Sequence, residues 1–595
     1  MVQKIGIDFG TTNSLISVVT QQNKIKSFTE KDRPHPSVVH YEGERVICGM
    51  KAKNKLEQNT IGIHGNAVRG PKKFLDKDAI NVGGIIKNPK EVVSNLMSFL
   101  IEHAQEEDED GIADLKHAVV TIPVAMDGRG RQALREAFLD SGILIESFVH
   151  EPLAALYGYY KDLEDTQNAI LKDEGQLILV FDWGGGTLDL TLCQIKNGNI
   201  VQILNKGNNK IGGDYLDEAI LKYVEEQHAE KFNWTEGTQK SRNPSMRARL
   251  LEECERAKIT LSKRSEAPIF IPDYYNADGD EAEIDCWLSR GDLDKISKPL
   301  IDAGLREIDS ILSPEQADID RQCVALCLAT GGMVNMPAIK QGLREIFGVS
   351  ALHVSEKGDR IISEGAAWIA KDNVALALAK PIELVEARNS LLTLIPEGTL
   401  LPKRGNTQST QQALYCADPR DGKAVLSFKR AQMVGKTAAA DRRTSLGNLV
   451  VPVNKNFPPL KERIDIDVKI DENLIMTVNA KSLDEDIPQE LNVYDIEFSI
   501  NVLGDSTQKK KTSRITKGIG EKMGVAVRSN VTHQNEGWSL VPGELLKKYN
   551  DDNPYLKQKM TEEQRLEDLY YKPCSNCGAR WQVGCCNSLS TSGAA

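Results

Sequence analysis

The sequence predicts an α/β domain of two similar lobes, then a β-sandwich domain, then a short mixed tail with a cysteine cluster. Three observations predict it. A strand–turn–strand pattern built on Asp-x-Gly occurs twice, as KIGIDFGTTNSLISVV (4–19) and ILVFDWGGGTLDLTL (178–192). Around these hairpins, apolar strands alternate with amphipathic helices, the pattern of a sheet covered by helices. From 382 to 502, short apolar runs recur between turns without long helices, as in a sandwich. At 595 residues the chain is too long for one core and requires several domains.

Each hairpin has its own chemistry. In the second, Gly184, Gly185 and Gly186 form a bend whose free N–H groups make a concavity for an anion. Asp182 and Asp189, one on each arm, offer carboxylate oxygens that suit Mg²⁺ better than any soft metal. Asp8, Gly10, Thr11 and Thr12 repeat the plan in the first hairpin. Two such turns facing one cleft suit a triphosphate with its magnesium.

Between the hairpins, NAVRGPKKFL (66–75) puts Lys72 and Lys73 after a Gly-Pro turn, which by itself reads as a solvated basic pair. Residues 116–143 read as strand, Pro123, loop and a helix carrying Arg131, and 147–160 as a short strand ended by Glu151-Pro152 and then a helix. Beyond the second hairpin, Gly212-Gly213 precedes a long helix that Asp214 could cap. A second helix spans 244–262, and at 324–348 a strand, the Gly331-Gly332 turn and a helix follow in sequence.

Composition excludes several classes. Hydrophobic and charged fractions of 40% and 27% are ordinary for globular protein. A net charge of −11 with pI ≈ 5.6 speaks against a dedicated nucleic-acid binder. No apolar run approaches the ~20 residues of a membrane helix, and the opening MVQKIGIDFG lacks the pattern of a signal peptide. Seven of the eleven cysteines are scattered, which suits a reducing cytoplasm.

The order of these segments resembles the nucleotide-binding domain of the seventy-kilodalton heat-shock chaperones (DnaK type), within the actin-like (ribonuclease H-like) ATPase superfamily. FVHEPLAALYG and CERAKITLS carry the chaperone likeness most specifically. The resemblance implies ATP/ADP and Mg²⁺, with the metal held mostly through waters by Asp8, Asp182 and Asp189. It implies phosphate contacts from Gly10, Thr11, Thr12, Asn13 and Gly184–Gly186, and catalysis by Lys72 and Glu151 with Thr187 in support. Gly212, Gly213, Asp214, Glu255, Lys258, Ser262, Gly331, Gly332, Met333 and Asp359 complete the implied nucleotide site. Pro123 and Arg131 match positions that relay nucleotide state between domains.

Some positions depart from the family pattern. Ile259, Met333 and Asn335 replace residues that stack on or contact adenine, so weaker ATP binding is expected, by ~1–3 kcal/mol. Ser147 stands where the family has an arginine that meets J-domain co-chaperones. The expected linker (373–381) keeps Val374, Leu376 and Leu378 without flanking acids. The partners implied are unfolded or extended polypeptide, a dedicated J-domain partner or none, and an exchange factor, with no nucleic acid and no membrane. The domains expected are an ATPase domain (1–372), the linker, a substrate-binding sandwich (382–502) and a tail (503–595) too mixed for a full lid. The tail reads as a short helix from 540, a capping box at Thr561 and Gln564, and four cysteines. Cys574, Cys577, Cys585 and Cys586 leave zinc binding, a redox role and free thiols open. A partner-holding ATPase adaptor and a small-molecule kinase are the competing functional readings.

Overall fold

Alternating apolar residues make Gln3–Phe9 (β1) and Asn13–Val19 (β2) an antiparallel pair in which Asp8 lies opposite Leu15. Ile25–Phe28 (β3) pairs with β2. Ala113–Ile122 (β4) and Leu144–His150 (β5) add in parallel beside β1, for the order β5-β4-β1-β2-β3. Leu177–Trp183 (β6) and Leu188–Lys196 (β7) form the second hairpin, with Asp182 opposite Asp189. Asn199–Asn208 (β8), Val324–Thr330 (β9) and Leu352–Val354 (β10) complete a sheet in which β10-β9-β6-β7-β8 follow one another. Strand order and direction are the same in both. The repeat visible in sequence as one hairpin is therefore a repeat of a whole sheet.

The computed structural model describes residues 2–56, 61–235, 240–385, 391–431, 443–502 and 540–542. The chain divides into two units after Val374. In the first, the strand cores are fully buried, among them Ile5, Ile7, Phe9, Leu179, Phe181 and Trp183. The helices that position the site are Gly128–Asp140 (α1), Glu151–Asp162 (α2), Gly213–Lys231 (α3), Pro244–Leu261 (α4) and Ile361–Asp372 (α5).

In the second unit, Ala375–Leu378 (β11) starts a run of strands: Ile382–Val385 (β12), Leu391–Ile395 (β13), Gln408–Cys416 (β14), Lys423–Ala431 (β15) and Arg443–Pro452 (β16). Arg463–Ile470 (β17), Met476–Ser482 (β18), Gln489–Val493 (β19), Phe498–Asn501 (β20) and Leu540–Pro542 (β21) follow. They make two antiparallel sheets, β13-β12-β15-β16 and β19-β18-β17-β14-β21. Strict alternation in β17 buries Ile464, Ile466, Val468 and Ile470, so one sheet face is core and the other polar.

Two stretches take forms that the sequence reading did not assign. Residues 375–378, inside the expected linker, are strand β11, paired antiparallel with β20 and largely buried. The apolar Ala and Leu side chains of this expected apolar linker suit that burial. Where a helix was expected from 540, residues 540–542 pair with the edge of β14. Pro542 has no N–H to give to a ladder, which restricts it to such an edge. The capping box at Thr561 and Gln564, the question of a lid, and the four tail cysteines lie outside the described residues.

Candidate active site

Each hairpin delivers an aspartate to one cleft, Asp8 near the end of β1 and Asp182 near the end of β6. The cleft has a volume of about 1330 Å³, and Gly10, Thr11, Thr12, Asn13, Lys72, Glu151, Gly184, Gly185, Gly186, Thr187 and Asp189 also line it. Each aspartate is met by a buried threonine from the neighbouring parallel strand. Thr121 donates to Asp8 at 2.6 Å and Thr330 to Asp182 at 3.0 Å. Thr187 donates to Asp189 at 2.7 Å. Sequence reasoning missed Thr121 and Thr330. Their signal was there: VVTIP and LCLATGG each carry a threonine at or next to the end of an apolar strand, one per lobe.

The carboxylates sit in an environment that resists their charge. Burial, then Glu151, raises Asp8 to about 7. Burial, then Asp189, raises Asp182 to about 8. Burial raises Asp189 to about 6, with the Thr187 hydroxyl pulling the other way. A cation placed among them would lower all three.

Lys72 is one such cation. Gly70 takes a left-handed conformation (φ 69°), and Pro71 opens the short 3₁₀ turn Pro71–Phe74. That turn carries Lys72 inward, where it is buried and donates to Glu151 Oε1 at 2.8 Å and to the Phe9 carbonyl at 2.5 Å. Lys73 stays exposed, so the solvated reading of the pair describes only Lys73. Glu151 opens α2 with Pro152 behind it, at the positive end of the helix dipole.

The second turn approaches the first where Gly185 and Gly186 face Thr12. A Cβ on Gly185 would lie 2.9 Å from Thr12 Cγ2, and one on Gly186 2.8 Å from Thr12 Oγ1. Any larger residue would push the turns apart and fill the cradle. Gly331 has φ +86° and its Cβ would sit 2.4 Å from the Trp183 carbonyl, so only glycine fits behind Asp182.

Gly213, Glu255, Lys258, Ile259, Ser262, Gly331, Gly332, Met333, Asn335 and Asp359 line the same cleft, as does Pro123. Burial favours the neutral form of Glu255, but Lys53, 2.5 Å away, and Lys258 outweigh it and hold the carboxyl down to about 2. Lys258 is buried, which favours loss of its proton, yet Asp217 at 2.7 Å and Glu255 keep its pKa above the usual value. Ser262 turns its hydroxyl back to the Lys258 carbonyl at 3.3 Å. Lys53 and Asp217 were not singled out from sequence, because charges paired across such distances leave no local pattern.

Two residues expected at the nucleotide site, Gly212 and Asp214, are absent from the cleft wall, as is the expected relay residue Arg131. Gly212, not Asp214, is the N-cap of α3. A Cβ on Gly212 would lie 2.3 Å from the Gly185 carbonyl, so it backs the glycine turn. Asp214 lies in the first turn of α3, and its carboxylate accepts from Arg69 Nη2 at 2.8 Å. Arg131 is buried on α1 and donates to the Met126 carbonyl at 2.8 Å.

The donors fit magnesium: they are all oxygens, mostly carboxylate, and their raised pKa values leave charge for a cation to satisfy. Among the described residues no three histidine, cysteine, aspartate or glutamate side chains converge to chelate a metal directly. The described cysteines, five of seven buried, are free thiols.

The Hsp70 protein family matches residues 4–510. The chain belongs to the Hsp70 family. It is 29% identical over 493 residues to the chaperone protein DnaK of Ureaplasma urealyticum, covering 80% of this chain and 76% of the relative. It is 29% identical over 488 residues to that of Mycoplasmoides gallisepticum, covering 80% and 78%. With that of Mycoplasma mobile it shares 26% identity over 539 residues, covering 88% and 84%. The first unit is thus the actin-like nucleotide-binding domain of an Hsp70 and the second its antiparallel β substrate-binding domain. Among the described residues no helix is long and apolar enough to cross a membrane.

Proposed function

We propose that this Hsp70 is an ATP-dependent molecular chaperone of the cytoplasm. Its first unit hydrolyses Mg-ATP to ADP and phosphate, coupled to binding and release of unfolded or extended peptide by the second. The observation that carries the reading is the Lys72–Glu151 pair set between two glycine turns, each backed by an Asp–Thr pair. Gly10–Asn13 and Gly184–Gly186 would hold the β- and γ-phosphates by backbone N–H groups. Asp8, Asp182 and Asp189 would hold magnesium through water, and the ion would supply charge neutralisation at the phosphates.

Phosphoryl transfer to water needs little covalent help from the protein, so positioning and electrostatics dominate. Lys72 has its ammonium oriented by two fixed acceptors, so it meets charge developing on the γ-phosphate without reorganising. Glu151 would order the attacking water. At the other end, Glu255 and Lys258 would hold the ribose. Ile259, Met333 and Asn335 would flank the base without a cation stacked on it. An extended client would be gripped by main-chain hydrogen bonds and a side-chain pocket.

Lys72→Ala tests the reading. Hydrolysis should fall by at least ~10²–10³, while Mg-ATP affinity by calorimetry stays within about tenfold. Near-normal phosphate release by this variant would sink the assignment.

A further inference from the structure

Arg69 is the feature that the proposed mechanism leaves unused. It ends the strand Ala67–Arg69 in the first lobe, three residues before Lys72. Its guanidinium is 1% exposed and pairs with Asp214, itself 7% exposed, in the second lobe. Burial raises the Asp214 carboxyl above its usual range, and Arg69, then Lys258 and Lys53, oppose that rise. Neither Arg69 nor Asp214 lines the cleft.

Asp214 holds the phosphate-facing turn. Its backbone N–H donates to the Gly185 carbonyl at 2.8 Å, and Gly213 N–H to the Gly184 carbonyl at 3.2 Å. Asp214 Oδ1 lies 3.3 Å from where a Gly185 Cβ would be, and Thr12 packs on the turn from the other lobe. Arg69 is joined to Lys72 through Gly70 and Pro71, whose backbone conformations are constrained. One ion pair therefore connects the lysine segment of one lobe to the glycine turn of the other.

We propose that Arg69 and Asp214 are a positioning pair that sets the Gly184–Gly186 turn in register with Lys72, so that the phosphate cradle is complete only when the lobes meet. The proposal deepens the ATPase reading and rests on it. Without the charged pair nothing ties Asp214 to the lysine segment, and the turn it tethers relaxes; without Arg69 alone the buried Asp214 carboxylate also loses its main counter-charge. The effect falls on the phosphate end of the cleft. Adenosine, bound at the Glu255–Lys258 end, should not register it.

The test is calorimetry of Mg-ATP and of adenosine, with steady-state hydrolysis, on the full chain. Wild type is compared with Arg69→Ala, Arg69→Lys and the neutral pair Arg69→Gln/Asp214→Asn. Arg69→Ala should lose about tenfold in ATP affinity relative to adenosine and at least tenfold in kcat. Arg69→Lys, which keeps the charge, should recover most of both. If Arg69→Ala fails to fold by circular dichroism, the neutral pair, which strands no buried charge, should show the same selective loss. A folded Arg69→Ala or neutral pair with ATP affinity and kcat within twofold of wild type overturns the proposal, as does an equal loss for ATP and adenosine. Wild type that binds no Mg-ATP would bring down the ATPase reading and this proposal with it. Wild type that binds while the variants match it brings down the proposal alone.

Discussion

The aspartates and their threonines are the most exacting residues of the site. A buried carboxylate without a donor resists ionisation strongly, and the hydroxyls of Thr121 and Thr330 answer that need in both lobes. Removing one should be felt locally. Thr330→Val keeps the volume of the side chain and deletes the donor to Asp182. Unfolding in urea at pH 9.5, where Asp182 is ionised, should show a loss of about 1.5–3 kcal/mol, the usual worth of a hydrogen bond to a charged group. The loss should shrink at pH 5, where Asp182, raised to about 8, is protonated in the folded state. Equal losses at both pH values would show that ionisation of Asp182 is not what the hydroxyl supports.

At the scale of single elements, two buried histidines tie strand and helix junctions to pH. His150 ends β5 and caps α2 just before Glu151, and burial with nearby Arg131 lowers it to about 3. His35 follows the loop after β3, hydrogen-bonds the Phe28 carbonyl, and is lowered to about 4 by burial and His103. Both pKa values lie below the 6.5 of an unfolded histidine. The fold thus prefers both neutral, and the unfolded chain takes up protons first as pH falls. These two residues should leave stability unaffected above pH 6.5. They should reduce it between 6.5 and 4, by up to about 2.7 kcal/mol per pH unit if both act fully. His150→Gln should remove roughly half of that slope in urea titrations at pH 7, 6 and 5. An unchanged slope would mean that His150 reaches solvent during titration.

For the whole molecule, what matters is that a nucleotide cleft and a β domain share one chain. Coupling of ~1–3 kcal/mol between nucleotide and peptide would change peptide affinity 5- to 150-fold. Adding ATP to a labelled, unfolded peptide bound to the ADP form should speed its release, read by fluorescence anisotropy. Identical release with either nucleotide would favour a partner-holding adaptor over a chaperone. Ser147, on β5, leads to a second expectation: a general J-protein should stimulate hydrolysis less than about twofold. Strong stimulation would remove the case for a dedicated J-partner.

The sequence by itself determined the fold class, the duplicated hairpins and the residues of the two turns that line the cleft. Those features are local, since a strand period of two, a glycine bend and an Asp at a fixed offset need no distant partner to be recognised. Lys72 shows the limit: residue pattern alone left it one of a solvated basic pair, only the family resemblance singled it out, and the tertiary structure buried it while leaving Lys73 exposed. Arg69 with Asp214, Lys53 with Glu255 and Thr121 with Asp8 were decided entirely by the packing. Each joins residues more than a hundred positions apart. The conformation of residues 375–378 was decided in the same way, since an apolar tetrapeptide becomes a strand when another edge is offered to it. Burial also decided the electrostatics. The same aspartates in water would be ordinary acids, and their raised pKa values come from the walls that the two lobes build around them.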